Sequence, residues 1–422
     1  MKIFGVFAFA SVSVLAWALV GFAKDLDPNP LVLSPIEART LKAPHPVEGA
    51  DDRIHLAYEI ALVNPSSLLV TVDKITVLLP DHNQAVVQVL QGDALAAVML
   101  RRGGEALGRL LRPSHSAFVF MDMSFPKGTA IPRRLNHEFV LSLQSRDHDP
   151  FDHKDLPPRD PNAPPDVPPP PTLTFIGDPT RVVHEKPVVV EPPLRGPRWY
   201  VANGCCAEIN AHRAAILPIN GTLDVPERFA IDFVQLNPDL RLFTGDGKQL
   251  ADYAYFGEKI HAAADGVIVG ILDGLPDNPP GTFPDNPTLA TAGGNHVVVD
   301  IGDGKYAFYA HMQRGSITRL GLKIGQRVRT GQVLGLLGNS GNSDAPHLHF
   351  HIMDGTDPID SNGLPVEYSY FEGQGRGTAE GEGLLFIGQP APIDPTNLAG
   401  PHNDELPLNF QLVRFPRGRR DQ

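Results

Sequence analysis

"NHVVVDIGDGKYAFYAHM", residues 295–312, holds two strand-length apolar runs, 295–302 and 305–312, each bounded by Gly, Asp or Pro. Runs of this length with these boundaries read as β-strands. The same texture continues outward in "RFAIDFVQL" (228–236) and "ADGVIVGIL" (264–272). In "KIGQRVRTGQVLGLLGNSGNS" (323–343), glycines recur at turn positions between short apolar pieces. Glycine supplies the positive backbone angles that tight hairpins need. The pattern predicts a compact antiparallel β-sheet with almost no helix, and residues 272–294 form a polar excursion rimming its open face. Gly 40 and Pro 42 among 422 residues, against an ordinary share of about 12% together, point the same way for the whole chain. The expected fold class is all-β.

The first half has a different rhythm. "RIHLAYEIALVN" (53–64), "LLVTVDKITVLL" (68–79), "SAFVFMDMSF" (116–125) and "HEFVLSLQS" (137–145) are four strands at the spacing of an antiparallel, Ig-like β-sandwich. Residues 95–111 read as either helix or loop. The segment 157–171 contains nine prolines and can form neither ladder nor helix, so an extended polyproline spacer is expected within an insert at about 148–172. The resulting plan has four parts. Residues 1–23 are a leader, 28–192 a sandwich with its proline-rich insert, 198–371 the sheet domain, and 372–422 an extension packed on the body. Residues 406–416 are expected to form an edge strand folded back on that body.

The leader opens with Lys2, runs apolar from Ile3 to Phe22 and closes on Gly21-Phe22-Ala23. This is the layout of a secretory signal peptide, the alternative being a retained membrane anchor. Export would place the mature protein in the periplasm or outside the cell, with no membrane span after cleavage. A formal net charge of −12 without a basic stripe argues against nucleic acid as a partner. The two cysteines, Cys205 and Cys206, are adjacent and cannot tie distant segments together. They are small buried side chains, a vicinal disulfide, free thiols, or an intermolecular pair.

"DAPHLHFHIMDG" (344–355) sets His347, His349 and His351 at every second position, which on a strand puts all three rings on one face. Paired imidazoles on one face suit a metal. A further histidine, His311, ends the strand "KYAFYAHM", and Asp232 sits between Ile231 and Phe233 in "FAIDFV". A carboxylate in such apolar company needs a cation or several donors to compensate its desolvation.

With these residues in hand, the stretch from Trp199 to Phe371 resembles the M23 family of zinc metallopeptidases, the LytM-type peptidoglycan endopeptidases. "AADGVI", "GNHVVVDIGDGKYAFYAHM" and "IGQRVRTGQVLGLLGNSGNSDAPHLHFHI" follow that family's order and spacing. The resemblance implies an antiparallel sheet with a groove on one face and one Zn²⁺. It also implies Asp232 and His349 as ligands, and His311 and His347 as the catalytic pair that orients water and stabilises the oxyanion. The chain departs from the family at one ligand. The first histidine of the H-x-x-x-D motif is Arg228 here, and a guanidinium has no lone pair to give a metal. Two ligands are one fewer than a catalytic zinc site usually takes from its protein. His212 in "NAHRAA" is the first candidate for the third, although a surface or hydrogen-bonding role is its plainer reading. His351 shares the face one strand step further out and is another candidate, with groove-lining as its plainer reading, and Glu227 and the cysteine pair are weaker options. His137, His184, His261 and His296 read as structural or without a role, and Asn295 as a turn-stabilising amide.

The resemblance therefore implies an exported zinc metalloendopeptidase that hydrolyses amide bonds in peptidoglycan peptides. The alternative is a degenerate LytM module without zinc that binds cell wall or activates a hydrolase. A third possibility gives the sandwich the leading role in adhesion or carbohydrate binding.

Overall fold

The sequence "RIHLAYEIALV" becomes the strand Arg53–Val63, which is buried on both faces over most of its length. Leu56, Tyr58, Ile60 and Leu62 point into one core, whereas Ala57 and Ala61 belong to two others. Period-two alternation explains this division, because neighbouring side chains leave a strand on opposite faces. A strand covered on both sides reads as a near-continuous apolar run, which is why its alternation is only partial in the sequence. The computed structural model describes residues 31–102, 107–144 and 172–416. The leader, the proline-rich insert and the terminal arginines lie outside the described residues.

The N-terminal strands form two sheets of five and six strands facing each other. One carries Arg53–Val63 paired antiparallel with Ser116–Pro126. The other pairs Leu69–Leu79 with Arg134–Gln144. The ambiguous 95–111 segment resolves into a short helix, Gly92–Val98, followed by the strands Met99–Arg102 and Leu110–Leu111.

The second half builds an eleven-stranded sheet. Gly266–Leu272, Asn295–Gly302, Lys305–Met312, Leu348–Met353, Ile231–Gln235 and Gly196–Ala202 lie side by side in that order, every neighbouring pair antiparallel. Residues beyond 371 extend the sheet. Gln411–Phe415 inserts between Gly196–Ala202 and Phe371–Arg376, so it is an interior strand and not the expected edge. Val413 and Phe415 are buried, which fits an element hydrogen-bonded on both sides. The edge position falls to Gly400–His402. Ser34–Gln422 forms one unit, joined by contacts such as Phe118 and Phe120 of the sandwich with Ile216 and Val225.

A charge cluster lies where the halves meet. His55 has one ring nitrogen 3.0 Å from Asp122 and the other 3.1 Å from Asp51. Cys206 is close to this cluster, but its sulfur is bonded to Cys205, so the group reads as an ion-pair cluster and not a metal centre. Burial opposes the charged imidazole, yet the two carboxylates prevail and push His55 up to about 9. A group whose folded-state pKa is raised stabilises fully below its unfolded value of about 6.5 and loses that contribution as pH rises through 9. Urea titrations should therefore show stability falling between pH 6.5 and 9. His55→Gln should cost on the order of 1–3 kcal/mol at pH 6.5 and much less at pH 9.5.

Candidate metal centre

The register of two strands sets the centre: Asp232 lies directly opposite His349, and Ala310, just before His311, is the partner of His349 on its other side. Leu348, Phe350 and Ile352 face the core, so the intervening histidines emerge on the opposite face. Asp232 Oδ1 is 3.0 Å from His349 Nδ1 and 3.4 Å from His347 Nε2. Asp232 Oδ2 is 3.2 Å from His212 Nε2 and accepts a hydrogen bond from Asn203 Nδ2 at 2.9 Å. Burial alone would raise this carboxyl, but the surrounding imidazoles of His212 and His347 hold it well below the ordinary carboxylate range.

His212 arrives from a separate segment, the short helix Ala211–Ala214, whose N-cap residue Asn210 accepts a hydrogen bond from Arg213 N. The ring is buried, and its Nδ1 lies 2.9 Å from Asn203 O and 3.0 Å from Ala230 O. Two carbonyl acceptors fix the proton on Nδ1, which leaves Nε2 facing Asp232. Beside a carboxylate, that nitrogen must hold either a proton or a metal. Without a metal, burial works against the charged ring, yet Asp232 drives His212 up to about 9.

The other two rings are pinned in the same way. His311 Nδ1 is 2.8 Å from Ser340 O, and His347 Nδ1 is 2.9 Å from Ala345 O. His311 therefore presents Nε2 to the site, whereas His347 turns its Nε2 toward Asp232 Oδ1. The two rings stand 4.5 Å apart between centroids. His311 adopts φ 57°, a left-handed conformation that costs a non-glycine residue energy and clusters at functional sites. Its carbonyl partner is held by close loop packing: a Cβ on Gly294, itself at φ +61°, would lie 2.2 Å from Ser340 O. Burial followed by repulsion from His347 and His349 places His311 well below the usual imidazole value. Asp232 opposes burial at His347 and raises it.

The ligating atoms of His212, Asp232 and His349 all lie within 4.8 Å of one another. Two imidazoles and a carboxylate are a donor set that catalytic zinc sites use. Arg228 faces away, with Nη2 2.5 Å from Glu59 Oε2. His351, expected to line a groove, is instead buried behind His349: its Nδ1 lies 2.9 Å from His349 Nε2. Glu227 and the disulfide-bonded Cys205–Cys206 pair are not in the group. Asn295 does not brace the adjoining Gly293–Gly294 turn but closes the base of the excursion that precedes it, accepting from Gly274 N and Leu275 N. His261 and His296 each bond a backbone carbonyl, and His137 bonds the Tyr58 hydroxyl. Asn203 and Glu59 carried no sequence signal. Their importance depends on which strands the fold brings together.

Fold and donor set together define an antiparallel β-sheet protein with a candidate His₂Asp metal centre. Residues 247–361 match the model of peptidase family M23. That span includes His311, His347 and His349 but not His212 or Asp232. Over 87 residues the chain is 32% identical to the glycyl-glycine endopeptidase ALE-1 of Staphylococcus capitis, covering 20% of this chain and 22% of that protein. The chain thus spans about a fifth of the length of this curated relative. Among solved structures, the catalytic domain of the antimicrobial peptidase lysostaphin from Staphylococcus simulans is 24% identical. It overlaps 35% of this chain and 80% of its own, with a TM-score of 0.21. A zinc containing peptidase from Vibrio cholerae is 12% identical over 73% of this chain and 80% of its own, with a TM-score of 0.24.

If the three donors act together, His212→Ala should leave the purified protein with less than a tenth of its zinc by elemental analysis. His351→Ala should keep about one zinc per chain, because it removes no donor.

Proposed function

We propose that the protein is an exported metalloendopeptidase of the M23 type that hydrolyses amide bonds in peptidoglycan peptides. The observation that carries this reading is the position of His212, which brings a third donor to Asp232 and His349. Arg228 motivated the alternative of a zinc-free binding module; its engagement with Glu59 removes the repulsion that it would otherwise impose on a cation. Export rests on the apolar run Ile3–Phe22. Among the described residues no helix is long and apolar enough to cross a membrane.

His212, Asp232 and His349 would hold the ion. Zinc bound there supplies Lewis acidity to the scissile carbonyl and makes a water more acidic. The protein's own contribution is to divide proton work between two rings. His311 is kept neutral by burial, and with its proton fixed toward Ser340 O it presents Nε2 as an acceptor. That nitrogen can orient the attacking water and take its proton. His347, with Nδ1 held by Ala345 O, presents Nε2 on the same side, and a proton carried there can be donated to the oxygen that becomes negative as the amide is attacked.

Purified protein should contain about one zinc per chain, and incubation with peptidoglycan should release new amino termini. Chelation should abolish release, and zinc should restore it. His311→Ala and His347→Ala should each lower turnover by about 10²–10⁴-fold while the zinc content stays unchanged. Metal-free protein that binds peptidoglycan without cutting it would refute the proposal.

A further inference from the structure

We propose that the N-terminal sandwich is a working part of the metal centre, with Glu59 as a positioning residue that fixes both segments carrying His212 and Asp232. The inference rests on the metal-site reading above and names the element that holds that site in place. Glu59 lies on Arg53–Val63 with 0% exposure, on the face turned away from the sandwich core. Arg228 donates to it through Nε, 3.1 Å from Oε2, and through Nη2. The Nε of Arg213 is 3.6 Å from Glu59 Oε1 and has no hydrogen-bond partner. One buried carboxylate of the sandwich therefore meets two guanidiniums of the sheet domain.

Those two arginines are placed beside the donors. Arg213 directly follows His212, and Arg228 stands four residues before Asp232. Between Arg228 and Asp232 lies Ala230, whose carbonyl holds His212 Nδ1 at 3.0 Å. Arg213 is anchored further to the sandwich through Met121 O at 3.1 Å and over the Phe120 ring at 5.7 Å. It also donates to Cys206 O, at the base of the loop whose Asn203 bonds Asp232. His212 and Asp232 come from separate stretches of chain, and the strand pairing that sets Asp232 against His349 does not reach His212. The clamp on Glu59 ties the two stretches from the sandwich side, in addition to the contacts of His212 Nδ1 with Asn203 O and Ala230 O.

The experiment measures zinc affinity of the full-length protein by competition with a chromophoric chelator, well below its melting temperature and with folding verified by circular dichroism. Glu59→Gln keeps a hydrogen-bond acceptor and loses the charge. It should weaken zinc binding by about 10–100-fold, the usual effect of losing a group that orients metal ligands, at unchanged stoichiometry. Glu59→Asp should recover part of the affinity. Arg228→Met leaves Glu59 paired with Arg213 alone and should weaken binding by about tenfold, which keeps the test valid if Glu59→Gln does not fold. Affinities within twofold of wild type in the folded variants, with only the melting temperature lowered, would overturn the clamp and leave a purely structural ion pair. Wild-type protein that binds no zinc would instead overturn the metal-site reading itself.

Discussion

The centre depends on one largely buried carboxylate. Asp232 sits between apolar neighbours on its strand, with most of its side chain withdrawn from water, and a lone ionised carboxyl there would be costly. The protein compensates with a ring of donors: His212, His347, His349 and Asn203 all approach its two oxygens. Each ring is fixed in turn by a second contact on its far nitrogen. These partners are Asn203 O and Ala230 O for His212, Ala345 O for His347, and His351 for His349. A donor that must hold one geometry is best fixed from behind, since orientation is then set before any ion arrives.

The second constraint is electrostatic and lies just outside this ring. A guanidinium at position 228 would sit four residues from Asp232 and repel a divalent cation if it turned toward the site. Glu59 draws it the other way. Removing one partner from a buried pair of this kind usually costs about 3–5 kcal/mol, because the remaining charge stays desolvated. The Arg228–Glu59 contact is thus a strong determinant of where Arg228 points, whatever its net effect on stability. Its position also explains why the sandwich strand Arg53–Val63 is apolar on both faces except at residues such as Glu59.

Much of the fold was legible because strands announce themselves by period and by bounding turns. The runs at 264–272, 295–302 and 305–312 became strands in the places expected, and Asp232 and His349 proved to be neighbours across one register. The tail was harder. Residues 411–415 alternate no more clearly than an edge strand does, and their interior place comes from backbone pairing on both sides, which side-chain patterning does not encode. His351 was misplaced for a related reason. Sharing a face with His347 and His349 says nothing about depth, and Phe308 with His349 covers its ring.

His212 marks where sequence spacing stops being informative. A motif written as fixed intervals records ligands on one strand or one turn, since only there does sequence distance translate into spatial distance. A donor from a neighbouring loop obeys no such interval. Its approach depends on the Gly196–Ala202 strand pairing with Ile231–Gln235, so that Ala202 lies opposite Asp232 and the chain emerging at Asn203 starts beside the carboxylate. From there nine residues suffice to turn back and deliver an imidazole, with Asn203 O holding the ring it helped to bring in. On the proposed reading, a ligand from the adjoining loop keeps the donor count at three and leaves position 228 with another task. In this chain that task is to bind the sandwich.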